Sequence, residues 1–235
     1  NLFSFECSLV PEVCRILEGL KLLVLANKRD LLPKKADDSS LRKYVSQRFR
    51  KARLSVSEND VCLISLRSDL NVDRVVSRMQ KERQGHDVYV IGAAGAGKTI
   101  FVNAFLRSYA NPSSRAIGIS KYPRTELSVM TIPLDSSSSL FDTPGTSLEN
   151  SMITHVDASD MKRILPQSEI KARSYSLSKG EKLILGDDLA SIELLNGART
   201  PVKLYCSNEV SVSKRLGTKI EDAFYRFADQ IRAKR

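Results

Sequence analysis

The residues best suited to chemistry lie in Gly92-Ala93-Ala94-Gly95-Ala96-Gly97-Lys98-Thr99. Glycines let successive backbone amides turn toward an anion, a lysine at this spacing reaches the outer phosphates of a nucleotide, and the next hydroxyl can ligate Mg2+. The pattern Gly-x4-Gly-Lys-Thr is that of a phosphate-binding loop, with Gly92, Gly95, Ala96, Gly97, Lys98, Thr99 and Ile100 around the phosphates. The plainer reading is a small-residue turn without a ligand. An apolar run before it and a helical pattern after it favour the phosphate site.

Two further clusters choose the nucleotide and complete its site. Asn27-Lys28-Arg29-Asp30 follows an apolar run, and a carboxylate there can accept two hydrogen bonds from guanine N1–H and its 2-amino group, a pair adenine does not offer. Asn27, Lys28 and Asp30 therefore point to GTP or GDP. Ser65, opening Ser65-Leu66-Arg67, stands where a backbone loop could support the base, although a plain loop fits as well. In Asp142-Thr143-Pro144-Gly145, Asp142 could hold Mg2+ through water, and the Gly145 amide could touch the γ-phosphate and let go after hydrolysis. Thr125 is the candidate for a second switch group meeting Mg2+ and the γ-phosphate, with an ordinary loop threonine as the alternative. The expected catalytic set is Lys98, Thr125, Asp142 and Gly145, and the expected Mg2+ set Thr99, Thr125 and Asp142.

These clusters need a scaffold that brings distant loops to one edge. The runs 21–26, 61–65 and 87–91 are short and wholly apolar, as expected of parallel strands covered on both faces. Segments 41–53 and 72–83 carry apolar residues at helical spacing between them, the first with a basic outer face, and a helix is expected over 100–106. A strand is expected at 127–133, a turn at Ser136–Ser139, and Leu140–Phe141 lead into Asp142. Strands alternating with helices imply an α/β domain with a doubly wound, mostly parallel sheet over residues 1–150. Residues 151–235 read differently. After a short helix at 159–164, strand-length runs at 172–177, 182–185, 191–195, 201–205 and 209–213 are separated by turn signals such as Asn196-Gly197. A smaller β-rich domain ending in an amphipathic helix at 219–233 is expected there.

The order of the motifs is informative. The base-reading Asn-Lys-x-Asp comes first, the phosphate loop second and Asp-x-x-Gly last, the reverse placement of base reader and phosphate loop from an ordinary GTPase. Joining old termini and opening an exposed loop preserves strand neighbours, so the site can survive the permutation. The chain then leaves the nucleotide domain just after Gly145, which would let movement of that switch act on the C-terminal domain.

With this order the chain resembles the YqeH family of circularly permuted GTPases, over nearly its whole length, including His155-Val156-Asp157 and the tail around Asn208-Glu209. The resemblance implies GTP, Mg2+, a zinc-binding module ahead of the nucleotide domain, and an RNA-rich partner: a small ribosomal subunit precursor with its rRNA and ribosomal proteins. It departs from the family at Gly95, where similar GTPases place an Asn that helps hold an activating potassium ion. It also departs at Pro123-Arg124-Thr125-Glu126, where relatives usually read Pro-Gly-Thr-Thr. Thr146, after the switch glycine, cannot orient water as a Gln would. Slow intrinsic turnover is expected.

Composition sets the outer limits. The 235 residues hold 37 Lys and Arg against 27 Asp and Glu, a formal charge of +10, which suits a polyanionic partner. No run has the length of a membrane span, and Asn1–Glu6 lack a charged leader followed by an apolar core. Cys7, Cys14, Cys62 and Cys206 form no Cys-x-x-Cys pair, which argues against an internal zinc site and for a reducing compartment. The mitochondrial matrix is favoured, with bacterial cytoplasm and plastid stroma as alternatives. His86 and His155 sit in no recognisable constellation and read as structural. Three functions stay open: a slow GTPase in small-subunit assembly, a GTP-binding scaffold that does not turn over, and a GTPase with a membrane or non-ribosomal protein partner.

Overall fold

β-branched and leucine-rich runs form the first strands, β1 (Val24–Ala26) and β2 (Val61–Leu63), paired in parallel with Val24 opposite Val61 and Ala26 opposite Leu63. The structure is a computed structural model that describes residues 2, 3, 5, 9, 11–109, 129–146 and 156–216. Thr125 with its neighbours 123–126, His155, and the helix expected at 219–233 lie outside the described residues. Contacts divide the chain into two units, Asn1–His155 and Val156–Arg235.

In the first unit, a short helix α1 (Pro11–Ile16), not anticipated from the sequence, precedes β1. Its six residues are too few for an apolar periodicity to be read. The basic segment forms α2 (Asp38–Lys51), started by Asp37, whose carboxylate accepts from the amides of Ser39 and Ser40 at 3.4 and 2.8 Å. That satisfies two of the orphan donors of the first turn, while Arg48, Arg50 and Lys51 favour the negative C-terminal end. Then follow α3 (Val72–Arg83), β3 (Val88–Val90), α4 (Lys98–Tyr109), β4 (Met130–Pro133) and β5 (Ser139–Asp142).

The unit is α/β with helices on both sides of its strands, but the single sheet expected from the sequence is not what forms. Among the described residues the strands make two sheets, β1-β2 and β3-β5-β4. β3 runs parallel to β5, whereas β4 is antiparallel to it, because only the turn at Asp135–Ser138 joins the two and so short a link cannot make a parallel crossover. One apolar cluster binds α3 (Val75, Val76, Met79) and α4 (Phe101, Val102, Phe105) to Ile132 and Leu140, with Leu25, Val88 and Val90 packed against it. It therefore spans both sheets. A second cluster on β1 and β2 joins Ala26, Val61 and Leu63 to Val45 of α2, with Phe5 and Cys14.

The second unit is β-rich as the turn signals imply. After α5 (Ala158–Ile164), β6 (Arg173–Leu177) pairs with β9 (Thr200–Leu204), while β7 (Glu181–Leu185) lies between β8 (Ala190–Glu193) and β10 (Val212–Leu216); every pairing is antiparallel. The last strand lies at 212–216 and not at 209–213 as expected. Residues 207–210 are taken up by a turn in which the Val210 amide donates to the Ser207 carbonyl at 3.1 Å. The Arg173 guanidinium holds that turn from inside, donating to the carbonyls of Val210 at 2.8 Å and Ser207 at 3.1 Å. Asn208 ties it to the chain before β6 by donating to the Glu169 carbonyl at 2.9 Å.

Candidate nucleotide-binding site

The glycine-rich segment lies between the end of β3 and the start of α4, the strand-to-helix junction at which helical amides and the helix dipole favour an anion. Gly95 and Gly97 have φ of 69° and 102°, a region side chains with a Cβ rarely adopt. At Gly97 the space is closed as well: an added Cβ would meet Asn27 Nδ2 at 2.6 Å and Leu66 Cδ1 at 2.9 Å. The loop is thus shaped by its glycines at two positions for different reasons, backbone conformation at Gly95 and close approach at Gly97.

Lys98, on the first turn of α4, folds back so that its ammonium donates to the carbonyls of Gly92 at 2.8 Å and Ala93 at 3.2 Å. Partial burial pulls its pKa below that of a free lysine, and the nearby Asp142 carboxylate works against that fall. Thr99 is exposed, and its hydroxyl lies 3.4 Å from Asp142 Oδ2. One hydroxyl and one carboxylate converging this way match the hard oxygen donors that Mg2+ takes beside water and phosphate oxygens. Asp142 ends β5, beside Val90 at the end of β3. Ile100 is 55% exposed and Ala96 half-buried.

Gly145 is fitted against the same loop. The Ala94 amide donates to the Thr146 carbonyl at 3.0 Å and the Thr146 amide to the Gly92 carbonyl at 3.3 Å. An added Cβ on Gly145 would fall 2.9 Å from Ala94 Cα and 3.1 Å from Lys98 Nζ. Between them, Thr143 locks the turn by donating its hydroxyl to the Val90 carbonyl at 2.9 Å. Thr143 and Thr146 carry structural contacts that the sequence reading left unassigned, since neither a turn threonine nor a backbone bridge has a residue-type signature.

Asn27, Lys28 and Asp30 stand at the end of β1, on a single 3-10 turn spanning Arg29–Leu31. Asn27 is buried at 6% exposure. Its amide donates to the Ala96 carbonyl of the phosphate loop at 2.9 Å, and its oxygen accepts from the Lys28 amide at 2.7 Å and the Leu66 amide at 3.2 Å. One side chain therefore fastens together all three predicted loops. Lys28 is left-handed, φ 70°, and burial depresses its pKa against the pull of Asp30. Asp30 makes no hydrogen bond among the described residues. Arg29, the variable position of the motif, organises the loop behind it by donating to Asp38 at 2.7 Å and to the Ala36 carbonyl at 2.8 Å. Ser65 is fully buried, its hydroxyl accepting from the Ser68 amide at 3.3 Å while its amide and carbonyl bridge to Leu70. It shapes the third loop from inside, and Leu66 makes the contact with Asn27.

Of the expected residues, the structure brings Asn27, Leu66 of the third loop, Gly92, Ala96, Gly97, Lys98, Thr99, Asp142 and Gly145 into one connected neighbourhood. Thr125 lies outside the described residues. Among the described residues no group of three or more His, Cys, Asp or Glu is placed to hold a metal, and no helix is long and apolar enough to cross a membrane.

No protein-family model matches the chain. Individual proteins do. It is 31% identical over 223 residues to the protein YqeH of Bacillus subtilis, covering 95% of this chain and 59% of that protein. It is 30% identical over 186 residues to NO-associated protein 1, chloroplastic/mitochondrial, of Arabidopsis thaliana, covering 76% of this chain and 33% of the plant protein. Over 172 residues it is 28% identical to nitric oxide-associated protein 1 of Mus musculus, across 57% of this chain and 25% of the mouse protein. The chain thus spans well under two thirds of the length of these relatives. It is their homologue, and with its base-reading, phosphate-loop and switch motifs in permuted order it belongs to the YqeH family of circularly permuted GTPases.

Proposed function

We propose that this chain binds GTP with Mg2+ and hydrolyses it slowly, as a timer for docking on a precursor of the small ribosomal subunit, with the mitochondrial matrix as its favoured compartment. The observation that carries the nucleotide reading is the Asn27 side chain, hydrogen-bonded to Ala96 of the phosphate loop and to Leu66 at once. It holds a base-reading loop at a fixed offset from a phosphate-binding loop, as a single nucleotide spanning both requires. In this reading the loop amides and Lys98 hold the phosphates, Thr99 and Asp142 hold Mg2+ together with Thr125, and Asp30 accepts from the guanine edge. Water attacks the γ-phosphorus, the bond to the β-phosphate oxygen breaks, and GDP and inorganic phosphate leave. The Gly145 amide loses its γ-phosphate partner at that moment.

Hydrolysis is the weaker half of the proposal, since Gly95 and Thr146 offer no side chain that could bind an activating cation or orient the attacking water. A scaffold that binds GTP without turnover is the second reading. The division of residues 1–150 as nucleotide domain from 151–235 as recognition domain belongs to the same proposal, as does RNA and ribosomal protein binding by a chain of charge +10.

Equilibrium binding of fluorescent GDP and a non-hydrolysable GTP analogue, with ATP as competitor, tests the nucleotide reading on wild type, Asp30→Ala and Lys98→Ala. Competition by GTP but not ATP, with binding lost in both variants, is the expected result. No binding of either nucleotide by the folded protein would sink it. Co-sedimentation with small ribosomal subunits, in GTP and GDP, tests the partner against liposomes as the alternative.

A further inference from the structure

Between the two sheets of the first unit lies an open apolar cavity of about 830 Å3. Its walls are the two strands that face each other without pairing: residues 21–27 with β1 on one side, residues 88–92 with β3 on the other. Met79 and Phe101, from the helix layer, line it as well. At a share of roughly 30 Å3 per molecule it has room for about 28 waters, yet a leucine- and valine-lined cleft offers them few partners.

The backbone identifies what belongs there. In a strand, successive residues aim their N–H and C=O groups to opposite edges. Ala26 accepts from the Ile64 amide at 3.1 Å and so faces β2, which turns Leu25 and Leu23 toward the cleft. Val90 accepts from the Thr143 amide at 3.2 Å and so faces β5, which turns Tyr89 and Ile91 toward the cleft from the other side. Two strand edges, each with unpaired donors and acceptors, thus confront one another across an apolar gap, an arrangement that buried sheets do not tolerate.

The first rung of a ladder is already present. The Leu2 amide donates to the Asn27 carbonyl at 2.9 Å, and Asn27, two residues beyond Leu25, lies on the cleft-facing edge. The residues after Leu2 do not run down the cleft, because Phe5 turns away to pack its ring 5.9 Å from Tyr44 and 6.0 Å from Phe49 of α2. A strand continuing the Leu2 rung into the cleft is therefore one that arrives at Leu2 from its N-terminal side, parallel to β1.

We propose that the cleft is the seat of an apolar β-strand formed by residues immediately ahead of Asn1 in a longer chain, pairing with Leu23 and Leu25 on one edge and Tyr89 and Ile91 on the other. Inserted there it joins β2-β1 to β3-β5-β4 as one sheet of six strands. Because Asn27 and Ala96 already clamp the two halves at the top of the cleft, the added strand fixes the base-reading loop against the phosphate loop along the whole strand length. The inference stands on the cleft and its edges and does not depend on which nucleotide binds, or whether one does.

Amide hydrogen exchange tests it, with nucleotide-free protein throughout. The amides of Leu25, Tyr89 and Ile91 are compared between the 235-residue chain and a longer chain carrying its natural residues ahead of Asn1. Exchange about 100-fold slower in the longer chain is expected, together with loss of the ANS fluorescence that the open cleft gives in the shorter one. Equal, rapid exchange in both chains overturns the proposal. So does protection already present in the 235-residue chain, which would mean the edges close on each other. Undiminished ANS binding by the longer chain would overturn it in favour of a small-molecule pocket, for which the volume lies in the ordinary range of about 300–1,000 Å3.

Discussion

The phosphate loop and the base-reading loop face the same site but are built from opposite materials. Residues 92–97 are small, shaped by Gly95 and Gly97, and work through backbone groups. Residues 27–30 are long and polar, and are held by side chains: Asn27 to Ala96 and Leu66, Arg29 to Asp38 and Ala36. The difference teaches where each loop is vulnerable. A backbone device fails when a Cβ intrudes, and a side-chain device fails when one functional group is exchanged, with the fold left intact.

The largest effect is expected where the two materials touch. Gly97→Val places a branched side chain at φ 102°, against Asn27 Nδ2 and Leu66 Cδ1. Strain of this kind costs about 1–3 kcal/mol, and the collision displaces the side chain that clamps the other loop. Guanine-nucleotide binding should become undetectable and the melting temperature should fall. Retained binding, measured by titration calorimetry, would show that the clamp is dispensable.

Asp30→Asn should leave stability unchanged and alter chemistry. Its carboxylate is the acceptor pair for the guanine edge in the proposed pose, and an amide presents one donor in its place. GTP affinity should fall about 100-fold or more, in line with roughly 1.5–3 kcal/mol for each charge-assisted hydrogen bond. Xanthosine triphosphate, which carries a carbonyl where guanine carries its amino group, should bind the variant better than GTP does. Asn27→Ala should be milder for affinity but should cost stability, about 1–3 kcal/mol, because the Leu66 amide loses its acceptor and the Ala96 carbonyl its donor. Denaturant melts separate the two variants: Asn27→Ala shifts the midpoint and Asp30→Asn does not.

The same contrast explains what could be read from the sequence. The phosphate loop, its strand and its helix were legible because glycine spacing reports backbone shape directly, and α3 matched its apolar spacing over Val72–Arg83. Asn27 was legible as part of a motif, but its clamp on Ala96, 69 residues along the chain, was not. Nor was the part played by Arg29, which occupies the variable position of that motif. Sequence periodicity also gave the strands without their partners: six-residue apolar runs cannot say whether β1 meets β3. The division into two sheets depends on an edge contact that no residue type announces. The final strand was misplaced by three residues because the alternation at 209–213 continues through a turn that only the Arg173 guanidinium, reaching Val210 and Ser207, reveals.

The smallest effect sharpens the comparison on the phosphate side alone. Asp135 closes the turn between β4 and β5, the strand that delivers Asp142 to the phosphate loop. Its carboxylate accepts from the Ser137 and Ser138 amides at 2.9 and 2.8 Å and from Arg83 of α3 at 2.7 Å. Those donors, the Ser137 amide foremost, hold its pKa far below the usual carboxylate range. A carboxylate depressed in the folded state stabilises the fold fully above its unfolded value of about 3.9, and that stabilisation drains away as pH falls below it toward the folded value. Melting temperature should therefore drop as pH is lowered from about 5 into the acid range, and Asp135→Asn should flatten that drop while lowering stability slightly at neutral pH. An unchanged acid slope in the variant would place the pH-sensitive contacts elsewhere, with Asp37 at the start of α2 and Asp60, hydrogen-bonded by Ser57 and Arg78, as the base-side groups to substitute next, both also depressed.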